Sequence, residues 1–236
     1  MKPILQTVAE GGTLSEREAE SAMHLMLRGE ARPEEVAGLL LGLRARGETL
    51  DELTGFTRVM RQYAVGVDAG GLNPVDLCGT GGDHAGTFNI STAAAFVVAG
   101  AGVPVAKHGN RAVSSLTGSA DVLDALGVNT GLGKEGVEAC LRETGICFLF
   151  APQFHPALKH VGPVRRALGV RTAFNILGPL CNPAGVKRQL VGAFSDATAR
   201  TISAFSSGVP PCSAAALTRA SPSFSGTTTW CSIPPS

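Results

Sequence analysis

The stretch from Asp76 to Thr92, DLCGTGGDHAGTFNIST, constrains the fold more than any other part of this chain. PVDLCG has the length and apolar character of a short buried strand. Glycines follow at 79, 81, 82 and 86, and Asn89 then opens an apolar run to Gly100 that reads as a helix. A strand, a bare turn and a helix make an arrangement that binds phosphate. Without side chains the turn's N–H groups can reach the oxygens, and the helix N-terminus adds a positive end. Asn89, Ser91 and Thr92 stand where the helix begins, so their side chains can cap it or donate to a phosphate. Asp83 would repel a bare anion. It fits a ligand that carries magnesium, or one with ribose hydroxyls that donate to a carboxylate. Two familiar motifs are excluded by spacing. No G-x-x-x-x-G-K-[ST] is present, and His84 occupies the position where G-x-G-x-x-G needs its third glycine. The loop alone leaves open a turn that serves only packing.

The alternation continues downstream. VPVAKHG reads as a strand running into a loop, Ser119 to Gly127 and Lys134 to Thr144 as helices, and ICFLF as a buried strand. His155 to Leu168 is helical with an interruption near Gly162 and Pro163, RQLVGAF is a strand, and a short helix spans Asp196 to Arg200. Strands alternating with helices imply a mainly parallel sheet covered on both faces. The second strand leads into KHGNRAVSSLTGSAD, where Lys107 and Arg111 supply charge and Asn110, Ser114, Ser115, Thr117 and Ser119 supply donors. His108 has no partner at metal-ligand spacing and reads as a polar loop residue near the substrate. Loops leaving neighbouring strand ends converge on one crevice, so two such loops could hold a multiply phosphorylated sugar.

Residues 1–70 read differently, as a small helical domain. Ser15 with Glu18 and Thr49 with Glu52 form capping-box signatures, and Pro33 suits a first turn. Three amphipathic helices are expected, with Met and Leu stripes that belong to a core or a subunit contact. With 44% apolar residues and a net charge of +1 in 236 residues, a sizeable core is possible and no global attraction to nucleic acid or anionic membrane exists. No run of 18 apolar residues and no secretory leader is visible, so a cytoplasmic protein is expected. The six cysteines show no C-x-x-C spacing and read as buried reduced thiols.

The set GTGGD, NIST, KHGNR and GSADVLDALG, with GPVRRALGVRTAFNILGPLCNP, resembles the anthranilate phosphoribosyltransferase family over residues 3 to 203. The resemblance implies a small helical domain plus a larger, mainly parallel-sheet α/β domain of the nucleoside phosphorylase and phosphoribosyltransferase type. It implies transfer of phosphoribose from 5-phosphoribosyl 1-diphosphate to anthranilate in tryptophan biosynthesis, with Mg2+ as cofactor and a homodimer formed through the helical part. Carried over motif by motif, the sugar-diphosphate site falls on Gly79, Gly82, Asp83 and Thr87, then Asn89, Ile90, Ser91 and Thr92. It continues on Lys107, His108, Gly109, Asn110, Arg111, Ala112, Val113, Ser114, Ser115 and Ser119. Ser91 is implied as a magnesium ligand, and Gly79, Asn110 and Arg165 as anthranilate contacts. A planar guanidinium suits that carboxylate, whereas the neighbouring Arg166 reads as a solvated helix charge.

The chain departs from the family pattern near its end. The α/β domain is expected at 71–203, and residues 204–236, rich in Ser, Pro, Thr and Ala, read as an aberrant tail. The family's metal-binding Asp-Glu pair has Phe224 and Ser225 in its place. A frameshifted or truncated C-terminus is therefore expected, leaving the domain incomplete, with a genuine disordered extension as the alternative. Three other readings stay open: an inactive fragment, an enzyme like the pyrimidine nucleoside phosphorylases, and a non-catalytic relative that binds nucleic acid. The near-neutral charge opposes the last.

Overall fold

The computed structural model describes residues 1–81, 88–112, 117–208 and 213–218. They fall into two compact units. One comprises Met1–Ala64 with His155–Cys181, and the other comprises Val65–Phe154 with the chain from Asn182 onward.

The helical unit begins with α1 (Lys2–Ala9), α2 (Glu16–Leu27), α3 (Pro33–Arg46) and α4 (Leu50–Gln62). Three of these match the sequence reading, and α1 is additional. It buries only Ile4 and Val8, a stripe too sparse to stand out from sequence. Both capping boxes form: Ser15 Oγ accepts from the Glu18 N–H and Thr49 Oγ1 from the Glu52 N–H. Glu52 does more than cap. Fully buried, its Oε1 accepts from the Leu14 N–H at 2.9 Å and Arg46 Nη2 at 2.5 Å, while Oε2 accepts from the Thr49 N–H at 2.8 Å. One carboxylate thus ties the entrances of α2 and α4 to the end of α3. Ala19, Met23, Met26, Leu39, Leu43, Leu53 and Phe56 fill the core beneath. Burial of each large apolar side chain is worth roughly 1.5–3 kcal/mol.

The α/β unit follows with β1 (Val75–Gly79), α5 (Ile90–Gly100), β2 (Val105–Gly109), α6 (Ser119–Ala125), α7 (Lys134–Thr144), β3 (Ile146–Phe150) and the single turn α8 (Ala151–Phe154). The chain then returns to the helical unit for a 3-10 turn at Pro156–His160, α9 (Gly162–Leu168) and α10 (Ala173–Leu180). Arg61 caps α10 there: its Nε and Nη2 donate to the Leu180 carbonyl at 3.0 and 2.8 Å, satisfying an orphan C-terminal oxygen. The α/β unit is completed by β4 (Arg188–Ala193), α11 (Asp196–Gly208) and β5 (Ser213–Thr218).

The five strands run parallel in the order β3-β2-β1-β4-β5. Strand alternation sorts the core into two layers. Leu77 and Val105 face α5 with Ala95, while Ala106, Cys147 and Leu149 face α7 with Val137 and Leu141. Strands are laid down from β1 outward to β3, and β4 then falls on the other side of β1. The strand order therefore switches direction at β1, where ligand crevices form in open parallel sheets.

Two expected boundaries differ from the structure. The helical unit regains residues 155–181, because a returning chain leaves no local mark in sequence. The boundary at 204 falls inside α11, and β5 pairs with β4 from Arg188–Ser213 to Ala193–Thr218. SAAALT is poor in the branched residues that favour strands, so the partner strand rather than local preference makes it one. The rest of the expected tail, including Phe224 and Ser225, lies outside the described residues. Among the described residues no helix is long and apolar enough to cross a membrane.

Candidate functional site

The first loop springs from the end of β1. Gly79 is exposed there, and the buried Thr80 pins the turn to β4. The Thr80 N–H and Oγ1 donate to the Gly192 carbonyl at 2.9 and 3.2 Å, and the Phe194 N–H donates to Thr80 Oγ1 at 3.2 Å. Gly82, Asp83 and Thr87 lie outside the described residues. The loop ends at Asn89, which precedes α5 but makes no side-chain cap. Its Nδ2 donates instead to Thr117 Oγ1 at 3.0 Å, so the exit of the first loop is tied to the second. Ile90 is exposed, Thr92 is buried, and Ser91 Oγ receives the Lys107 ammonium at 3.2 Å.

Lys107 is the less expected finding. Read from sequence as a loop cation, it is a β2 residue only 3% exposed. Its Nζ donates to the Leu77 carbonyl at 2.6 Å as well as to Ser91. Burial pushes its pKa down, and the nearby Asp76 carboxylate opposes that shift. Lys107 thus acts from beneath the first turn of α5. His108, read as a polar loop residue, is a buried strand residue on the opposite face of the sheet.

The second loop is closed by close backbone approach. A Cβ on Gly118 would lie 2.4 Å from the Ala112 nitrogen and 2.6 Å from the Asn110 oxygen, and one on Gly109 would lie 2.2 Å from Ser119 Oγ. Asp121 organises what remains. Its Oδ2 accepts the Ala112 and Gly118 N–H groups at 2.9 and 2.8 Å, and these bonds hold its pKa below the ordinary carboxylate value. Arg111 is engaged by Asp121 at 3.1 Å and Asp124 at 2.6 Å, with its guanidinium 5.6 Å from the centre of the Phe150 ring. Ser119 Oγ donates to the Asn110 carbonyl at 3.2 Å, and Asn110 itself is exposed. Val113, Ser114 and Ser115 lie outside the described residues.

Of the predicted residues, the structure therefore brings Gly79, Asn89 to Thr92, Lys107 to Ala112 and Ser119 to neighbouring strand and helix ends of one unit. Arg165 belongs to α9 in the helical unit. Its guanidinium stacks 4.9 Å from the centre of the Phe174 ring, and burial lowers its pKa.

Among the described residues no three His, Cys, Asp or Glu side chains form a metal cage. Magnesium carried by a diphosphate needs few protein ligands, since it keeps water and phosphate oxygens around it. The Ser91 hydroxyl fits that demand: it takes one bond from Lys107 and retains a second lone pair.

Sequence reasoning missed Thr80, Asp76 and Asp121 as site-building residues. For the two acids a signal existed: a carboxylate inside an apolar strand, and one three residues past Gly118 at a helix start.

Models of two glycosyl transferase domains match the chain. The helical bundle domain covers residues 2–64 and the a/b domain residues 72–222. An anthranilate phosphoribosyltransferase from Salinibacter ruber is 66% identical over 202 residues, which are 86% of this chain and 59% of that protein. The crystal structure of an anthranilate phosphoribosyltransferase from Thermus thermophilus superposes with a TM-score of 0.79 at 45% identity, covering 86% of this chain and 63% of that one. A Saccharomyces cerevisiae anthranilate phosphoribosyltransferase in complex with PRPP and Mg gives 0.78 at 27% identity, covering 86% and 61%. The chain thus spans about three fifths of the length of these relatives.

Proposed function

The chain belongs to the glycosyl transferase family, and from that premise we propose that its site takes 5-phosphoribosyl 1-diphosphate and transfers the phosphoribosyl group to anthranilate. The observation that carries this reading is that residues from beyond β1 and from β2 onward meet at the start of α5, where Asn89 donates to Thr117 and the strand residue Lys107 donates to Ser91. A relative's complex with PRPP and Mg supports the choice of sugar.

The reaction forms an N–C1 bond between the aromatic amine and ribose as the C1–O bond to diphosphate breaks, with positive charge growing on the ring. This chain's residues serve it by position and charge. The exposed Gly79 leaves room at the β1 end, and the start of α5 offers its positive end to the diphosphate. Lys107 holds Ser91 and adds positive charge from below. Ser91 would hold magnesium, which when bound neutralises the leaving group. Arg165, kept flat by Phe174, suits the anthranilate carboxylate. The arylammonium formed by the attack is strongly acidic and gives its surplus proton to water or to the departing diphosphate, so the step does not call on a dedicated side-chain base. A homodimer acting in the cytoplasm in tryptophan biosynthesis completes the reading.

A second reading is favoured by length: with three fifths of its relatives' span, the chain binds the sugar diphosphate without turning it over. Loss of anthranilate fluorescence with phosphoribosyl diphosphate and magnesium decides between them, run on this chain and on one carrying a relative's C-terminal part. Turnover by this chain supports the first reading, and turnover only by the extended chain supports the second. Phosphate-dependent cleavage of thymidine in place of either would overturn both.

A further inference from the structure

The parallel sheet has one irregular seam. β2 pairs with β3, and β1 with β4, over five residues each, but β1 and β2 share a single register, Val75 with Val105. Beyond that point side chains occupy the seam. The His108 N–H of β2 donates to Asp76 Oδ1 at 3.1 Å, and the Leu77 carbonyl of β1 accepts from Lys107 Nζ at 2.6 Å. Groups that would pair across a regular ladder are thus bonded instead by a carboxylate and an ammonium, so beyond Val75 the seam is held by side chains. Both loops leave from the C-terminal ends of these strands.

Asp76 is central to that seam. It is fully buried, and its second oxygen, Oδ2, accepts from Gln189 Nε2 of β4 at 3.1 Å. Asn182 lies beside the carboxylate and donates to the Ala106 carbonyl of β2 at 2.9 Å. One β1 side chain therefore fixes β1 against both its neighbours. We propose that Asp76 is a positioning residue of the sugar-diphosphate site, a spacer that sets the separation of the β1 and β2 ends and so of the two loops they carry. The proposal rests on the ligand assigned above. Asp76 touches no substrate and acts through His108 and the strand ends.

The test compares Asp76→Asn, Asp76→Glu and Asp76→Ala by calorimetry with magnesium phosphoribosyl diphosphate, and by amide hydrogen exchange without ligand. Asn keeps the length and the acceptor for His108 and loses the acceptor for Gln189 and the charge beside Lys107, so its affinity falls less than that of the Glu variant. Glu keeps the charge but is longer by one methylene, and Ala removes the spacer; both weaken capture by about 10-fold or more, because small misplacements are costly at such sites. In the Ala variant the His108 amide loses protection while that of Val105 is kept. Native affinity in the Glu variant, or an unchanged His108 amide in the Ala variant, overturns the spacer. Should Asp76→Ala fail to fold, the contrast between Asn and Glu decides. If the native chain captures no sugar diphosphate, the ligand assignment fails, and the exchange measurement still tests the spacer.

Discussion

Asn89 Nδ2 lies 3.0 Å from Thr117 Oγ1, and this bond joins the last residue before α5 to the loop that follows β2. Asn89 makes no side-chain cap to α5, although its position favours one. Removing either partner is expected to weaken capture of magnesium phosphoribosyl diphosphate by about 10-fold, with little change in thermal midpoint, since the bond is worth only about 1 kcal/mol to the fold. A double-mutant cycle with Asn89→Ala and Thr117→Val checks this. The double variant should bind no worse than the weaker single one, because both remove the same link. Fully additive losses would count against the tie.

Gly118→Ala is expected to be far more damaging than its size suggests. All the nearest atoms to the added Cβ belong to the backbone of Asn110, Arg111 and Ala112, at 2.4 to 2.6 Å, so no side chain can move aside. Overpacking of this kind costs about 1–3 kcal/mol. Gly66→Ala is the control, since nothing lies within 4 Å of its added Cβ. Denaturant midpoints of the two variants should differ, with the loss confined to Gly118→Ala.

Cys147 and Cys181 carry a pH dependence whose sign follows from burial. Each thiol is pushed up to about 12 from an ordinary value of 9.0, chiefly by desolvation. The neutral thiol is therefore favoured in the folded chain. The stability this gives is complete below the unfolded pKa and is lost as pH rises between about 9 and about 12, because the unfolded state sheds its protons first. The slope approaches about 1.4 kcal/mol per pH unit for each thiol. Urea midpoints measured upward from pH 8.5 should fall, and Cys147→Val should flatten part of that fall. At pH 8 a thiol reagent should modify the half-buried Cys140 and spare Cys147 and Cys181 in the folded chain.

What sequence disclosed depended on how local the cause was. Ser15 with Glu18, Thr49 with Glu52, and the strand ICFLF owe their structure to neighbours a few residues away, and these were legible. α10 was not, since Pro179 lies within it and its C-terminal carbonyl is satisfied by Arg61, 119 positions back. β5 depends on β4 for the same reason. In the site, residue types were readable but not their use. Lys107 and Arg111 look alike in KHGNR, yet strand alternation buries the first under Ser91 and two carboxylates engage the second. No pattern in the sequence marks which side of a sheet a helix will cover.

Arg165 gives the sharpest test of the anthranilate assignment. Its guanidinium lies 4.9 Å from the centre of the Phe174 ring, and burial makes its charge harder to keep. A half-buried guanidinium with one flat face on an aromatic ring has its donor edge left for a planar partner, and a carboxylate fits that edge bidentately. Both loops belong to the other unit, so the two substrates should respond separately. Arg165→Ala is expected to raise the KM for anthranilate by about 100-fold, the loss of one charge-assisted bidentate contact worth about 3 kcal/mol, with the KM for the sugar diphosphate little changed. Arg165→Lys should recover only part of the loss, because an ammonium keeps the charge without the fork. If this chain binds without turnover, calorimetry with each substrate gives the same contrast. Equal effects on both substrates would remove Arg165 from the anthranilate site, and full recovery by lysine would reduce its role to charge alone.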